Sequence, residues 1–292
     1  MSITRRKLTL ALAECPGIGA KTITRIHTRN DLLGRNIDEF LRLGVESLSE
    51  EYKIKAQTAT KWITHREEWM GQAEEVESKL APFQIHIVTS ADAHYPRIIE
   101  SLDPDPPGVL YLFGNTRLLQ SETFAVLASR NPDEEALRTI EACTEEHIFN
   151  GRSLVSGHDT PPYQRSAVTA LRYGAPRTMV FDTGLFDALG DTLRNEPFAA
   201  ARLWRYEFDR QTDLAVTFIN PIRSYHRNSN RMRDRLVAGL AQHIDFISIS
   251  PGGNMEKIAH LSLKSTRKIR VHESVASAER LESLGASILV AR

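Results

Sequence analysis

The chain has 292 residues, 41% hydrophobic and 25% charged, the composition of a soluble globular protein whose core is large enough to stand without disulfides. Its 37 basic and 37 acidic residues cancel, which excludes a protein coated in positive charge: any anion site must come from local clustering. Cys15 and Cys143 lie far apart without metal-ligand spacing, pointing to a reducing, cytoplasmic compartment, and no apolar run reaches the ~18 residues of a membrane helix, nor does a signal peptide follow the basic start.

Residues 1–81 read as a small all-helical domain. Apolar residues recur at helical spacing (Leu8, Leu12, Ile23, Ile26, Phe40), and Trp62 to Leu80 reads as one longer helix ended by Pro82. Between two helical segments lies Cys15-Pro16-Gly17-Ile18-Gly19-Ala20-Lys21, which resembles the turn of a helix-hairpin-helix element. Glycines there let bare backbone N–H groups approach a phosphate, so Gly17, Gly19 and Lys21 are candidate secondary DNA contacts, with Lys7 adding charge. The plainer reading is an ordinary tight connection between helices.

Residues 82–292 change in texture. Strand-like runs appear at Gln84–Thr89, Val109–Phe113, Phe124–Ala128, Ser153–Ser156, Thr178–Phe181, Leu214–Ile219, Phe246–Ile249 and Lys268–Val271. Helix-sized stretches separate many of them, among them Glu134–Asn150 and Pro162–Tyr173. This alternation predicts an α/β domain, a Rossmann-like and mostly parallel sheet with helices on both faces. Ligands of such sheets sit at the carboxyl ends of the strands.

Four strand-to-helix junctions carry candidate anion ligands. Ser129 and Arg130 follow the run at 124–128, and a hydroxyl, a guanidinium and helix N–H groups there suit a phosphate; the plainer reading makes Ser129 a helix cap. Gly157 follows 153–156 and permits close backbone approach, with His158 beside it and Asp159 expected as a cap. Residues 223–241 hold Arg223, Arg227, Arg231, Arg233 and Arg235 against one acid, Asp234, with Tyr225 and His226 as stacking face and donor. Pro251-Gly252-Gly253 opens a further helix. No serine or cysteine nucleophile pairs with His158 in the pattern, so no catalytic role, metal or cofactor is expected.

Taken in order, the pieces resemble the DNA-processing protein A (Smf) family. The match runs through His94-Tyr95-Pro96-Arg97, Pro106-Pro107-Gly108-Val109-Leu110-Tyr111, Gly114-Asn115, Ala128-Ser129-Arg130, Val155-Ser156-Gly157 and Thr183-Gly184-Leu185. Its most specific part is Arg233-Asp234-Arg235-Leu236-Val237-Ala238-Gly239-Leu240-Ala241, similar to the family's Arg-Asn-Arg-Ile-Ile-Ala-Gly-Leu-Ser. The resemblance covers about residues 94–272 and implies a Rossmann-like core that binds single-stranded DNA, a homodimer, and delivery of strands to a recombinase or a neighbouring-system protein. It carries phosphate contacts over to Arg130, Gly157, Arg233 and Arg235, with Gly253 and Lys257 as weaker candidates. The chain resembles a divergent member: Ala128 stands where the family has glycine, the loop after Gly157 lacks a second glycine, Asp234 stands where asparagine is expected, and no winged helix is expected after Val271. A retuned pocket points toward a mobile-element or defence role rather than DNA uptake. The same superfamily includes LOG-type phosphoribohydrolases, whose Gly-Thr and glutamate are replaced here by Met255, Glu256 and Ala259. A sensor for a small nucleotide-type ligand, or an interaction scaffold with a vestigial pocket, is the alternative.

Overall fold

The computed structural model describes residues 4–198, 201–202, 206–221 and 229–290. The chain divides into two compact units, Met1–Tyr95 with Asp105–Tyr111, and Pro96–Pro104 with Leu112–Arg292.

The first unit is helical at its start: α1 Arg5–Glu14, α2 Ala20–Leu33, α3 Ile37–Leu41, α4 Val45–Glu50 and α5 Ala56–Leu80, followed by a 3-10 turn that contains Pro82 and by strand β1 (His86–Thr89). The longest helix thus starts six residues before Trp62, where Thr58 and Ala59 are already buried. Leu8, Leu12, Ile23, Ile26 and Phe40 form the core as their spacing requires. The Trp62 ring packs between Trp69 and Phe40, and Tyr52 closes the cluster edge-on to Phe40 while its hydroxyl donates to Asn30 at 2.5 Å. A capping box at Asn36 and Glu39 satisfies the first N–H groups of α3.

The second unit alternates strand and helix. After β2 (Val109–Gly114) come β3 (Thr123–Ala128), α6 (Glu134–Phe149), β4 (Ser153–Ser156), α7 (Pro161–Arg172), β5 (Arg177–Phe181), α8 (Leu185–Leu189) and β6 (Leu214–Thr217). Then follow α9 (Ser229–Leu240), β7 (His243–Ser248), α10 (Asn254–Ser262), β8 (Lys268–His272), α11 (Ala278–Ser283) and β9 (Ser287–Leu289). The sheet order is β1-β2-β6-β5-β4-β3-β7-β8-β9, and all six pairings from β6 across to β9 are parallel. Strands β3 to β6 are buried along their whole length, as strands covered on both faces must be. Helices α6 and α7 pack against each other, as do α9 and α10. Right-handed crossovers put the first pair on one face and the second on the other. The expected Rossmann-like, mostly parallel architecture is the one observed.

Chain order reverses direction across the sheet between β3 and β7. At such a switch point the two connections leave on opposite faces and a crevice opens at the carboxyl edge. Because the strands are parallel, the residues after β3, β4, β5 and β7 all emerge at that edge.

Candidate functional site: the carboxyl edge of the sheet

Four predicted positions meet at this edge, and Arg233 is their centre. Although it sits on a helix, only 1% of its surface is exposed. Its guanidinium donates to Asp234 through Nε at 3.2 Å and Nη2 at 2.9 Å, to Asp182 through Nη1 at 3.0 Å, and to Asp159 through Nη1. The ring of Tyr163 lies 5.2 Å from the guanidinium carbon and supplies a cation–π face. Tyr163 also donates its hydroxyl to Asp234 at 2.9 Å, and the Asn254 side-chain amide reaches the other Asp234 oxygen at 2.8 Å. Asp234 is therefore a partner of its neighbour, and it joins α7, α9 and the start of α10.

One cation among three carboxylates has an electrostatic consequence. Burial pushes the Asp234 carboxyl above the usual range, and Arg233 only partly opposes this. Burial works against the Arg233 charge, and the Asp234 and Asp159 carboxylates more than offset it. Burial also lowers the pKa of His158, against the pull of Asp182 and Asp159, so the imidazole stays neutral beside Asp182, 3.8 Å away. The Arg233 centre thus has its donors filled by aspartates.

Gly157 is required here for a reason other than phosphate approach. A Cβ on it would lie 2.7 Å from the Tyr163 ring and 3.1 Å from Arg233 Nε. Asp159 does not cap α7, whose N-cap is Thr160 without a side-chain bond; it pairs with Arg233 instead, and more loosely with Arg130 at 3.8 Å. Ser129 does not cap α6 either, since Asp133 fills that role. The Ser129 hydroxyl accepts from the Ser250 backbone N–H at 2.8 Å, and its own N–H donates to Ser248, so Ser129 ties β3 to β7 across the switch point.

The remaining candidates divide by exposure. Arg235 is half-buried and paired with the buried Asp103 at 3.1 Å. Arg130, Arg231, Gly252 and Lys257 are exposed, and Gly253 is the N-cap of α10. Neither Arg231 nor Lys257 forms an ion pair among the described residues. The Gly252 N–H donates to Glu256 at 2.7 Å, which places an acid in the loop expected to hold phosphate. Arg223, Tyr225, His226 and Arg227 lie outside the described residues. In the first unit, Gly17 has φ +99°, a conformation that favours glycine, whereas Gly19 lies against the Asp105 carboxylate. Lys21 is exposed, and Lys7 is engaged by Glu74 at 2.6 Å. The partners of Arg233 were missed from sequence: Asp159 and Asp182 lie 74 and 51 residues away along the chain.

A doubly wound parallel sheet with a polar cluster at its switch point defines a Rossmann-like domain. The sequence profile of the DNA recombination-mediator protein A family matches residues 86–290. The chain belongs to that family, as the ordered motifs between residues 94 and 272 indicate. DNA processing protein A from Streptococcus pneumoniae superposes with a TM-score of 0.71 at 17% identity, over 99% of this chain and 95% of that one. The DNA processing protein A of Helicobacter pylori, described for its single-stranded DNA binding mode, superposes with a TM-score of 0.55 at 21% identity, over 70% of this chain and 91% of that one. No protein of curated function matches the sequence. No described helix is long and apolar enough to cross a membrane, and among the described residues no group of three or more His, Cys, Asp or Glu side chains is placed to hold a metal ion.

Proposed function

We propose that the chain binds single-stranded DNA at the carboxyl edge of its sheet, as a DNA-processing protein that acts by binding and not by catalysis. The observation that supports this most is the coincidence of two independent features. The family profile spans 86–290, and within that span the switch point between β3 and β7 presents exposed Arg130, Arg231 and Lys257 around the Ser129 and Gly252-Gly253 turns. Arg233 and Gly157 act beneath this surface: the buried ion cluster fixes α7, α9 and the Asn254 end of α10, and so sets where the exposed cations stand. Arg235, tied to Asp103, has the same supporting role.

The reading includes a homodimer in the cytoplasm, a recombinase or neighbouring-system protein as receiver of the strand, and a helical domain at residues 1–81 that contributes a second contact. The test is binding of a fluorescent oligothymidylate across a salt series. Each phosphate contact adds about 0.7 to the slope of log affinity against log salt for a single strand. Arg130→Ala is expected to weaken binding and reduce that slope by about one such step. Absence of binding at low salt overturns the reading. Sedimentation equilibrium, with and without oligonucleotide, tests the dimer.

A further inference from the structure

The first unit carries a basic cleft outside the family's matched segment. Beside the Pro16-Gly17 turn is a cleft of about 490 Å³ whose charged lining is Arg25, Lys53, Lys55 and Lys61. No acidic side chain lines it, and none of the four forms an ion pair among the described residues. Arg25 is held by weak contacts to the Thr22 hydroxyl at 3.3 Å and the Lys53 carbonyl at 3.5 Å, so its charge is unneutralised. All four side chains are exposed. At the same place α5 begins: its N-cap is Lys55, no side chain caps it, and no acid occupies its first turn. The positive end of a 25-residue helix therefore adds to the four cations. Gly17 closes one wall, its Cα packed so closely on Thr58 that a Cβ would lie 2.8 Å from the hydroxyl.

We infer that this cleft binds the phosphodiester backbone of nucleic acid without reading its bases. Four exposed, unpaired cations attract an extended polyanion, whereas a buried small-phosphate site would converge on one point. No aromatic side chain lines the cleft, so there is no platform on which an unstacked base can rest. Single-strand specificity depends on such stacking, and its absence makes duplex and single strand equivalent here. The inference rests on, and deepens, the second contact proposed for the helical domain; because every residue involved belongs to the first unit, it can fail independently of the strand-edge site.

The test uses the full chain, a labelled 20-base-pair duplex and the charge-reversed variant Lys53→Glu/Lys55→Glu/Lys61→Glu. At low salt the variant is expected to lose at least tenfold in duplex affinity, and the salt slope to fall by about 2 to 3. Changing the duplex sequence is expected to change nothing. Arg130→Ala, in the other unit, tests the strand-edge reading separately with oligothymidylate, so either site can fail while the other stands. Unchanged duplex binding by the charge-reversed variant overturns the inference. So does competition by millimolar inorganic phosphate, which marks a small-anion site, or by polyglutamate as strongly as by duplex, which marks a site for acidic protein. Circular dichroism reports folding of the variant. Should it unfold, Lys55→Gln and Lys61→Gln singly are each expected to lower the slope by about 1, and an unchanged slope in both has the same overturning force.

Discussion

The carboxyl edge of the sheet and the cleft beside Gly17 both collect basic side chains, and they differ in what faces those side chains. Arg233 carries the strongest motif in the sequence, yet Asp159, Asp182 and Asp234 surround it. Lys53, Lys55 and Lys61 belong to no motif, and no acid lines their cleft. A count of arginines along the chain therefore ranks the two regions in the wrong order of free charge. What decides the matter is tertiary: a guanidinium that has filled its donors with carboxylates organises a fold, and a lysine facing water offers its charge to a ligand.

The largest test of this contrast removes the buried cation. Arg233→Ala leaves Asp182 and Asp234 buried without their partner, and is expected to destabilise the chain by about 3–5 kcal/mol, read from the shift in the denaturation midpoint. The same measurement on Arg130→Ala, whose only ion pair among the described residues is exposed and 3.8 Å long, is expected to move by less than about 0.5 kcal/mol. Equal effects of the two substitutions would erase the distinction drawn between a structural and a ligand-facing arginine.

The next effect belongs to pH and to the first unit. Burial, reinforced by the charge of Arg5, lowers the pKa of His27 from 6.5 to about 4. The Thr9 hydroxyl donates to the Arg5 carbonyl and so accepts from the imidazole N–H at 2.7 Å, which fits a neutral ring. A base with a depressed folded pKa contributes its full stability above 6.5 and loses it as the pH falls towards 4. Between pH 7 and pH 5 the loss is about 2 kcal/mol. Titration of the His27 ring by NMR checks it, and a midpoint near 6.5 in the folded chain contradicts it.

A comparable loss is expected from Gly157→Ala. The added methyl meets the Tyr163 ring and Arg233, and overpacking of this kind costs about 1–3 kcal/mol. The smallest stability effect is that of Arg231→Ala or Lys257→Ala, each within about 0.5 kcal/mol, while oligonucleotide affinity falls. If Gly157→Ala were neutral, the close packing beneath the surface would not be what holds the Arg233 centre in place.

Much of the sheet was legible because buried parallel strands are short apolar runs: Val109–Phe113, Phe124–Ala128 and Ser153–Ser156 all fall within a residue or so of the observed strands. The errors lie where polar residues enter the core with distant partners. Strand β7 begins at His243, ahead of the apolar run, because Asp245 is buried against His147 at 2.9 Å and Arg270 at 2.6 Å. Strand β5 begins at Arg177, buried between Glu196 and Asp213. Strand β9 escaped notice altogether: Ser287–Leu289 is three residues long and only partly buried. The site follows the same rule. Gly157, Arg233 and Asp234 were found as motif residues, but the partners that give them their role lie on other strands and no local pattern records such pairings. The basic cleft left a fainter trace, since no acid occurs between Glu51 and Glu67.

The most direct measurement of the central claim is hydrogen–deuterium exchange of the full chain with and without saturating oligothymidylate. Protection is expected in two places: the loops around Ser129–Arg130 and Ser250–Lys257, and the turn and helix start around Gly17 and Lys53–Thr58. Protection confined to the opposite edge of the sheet, around Arg152 and Lys268–Arg270, would contradict it.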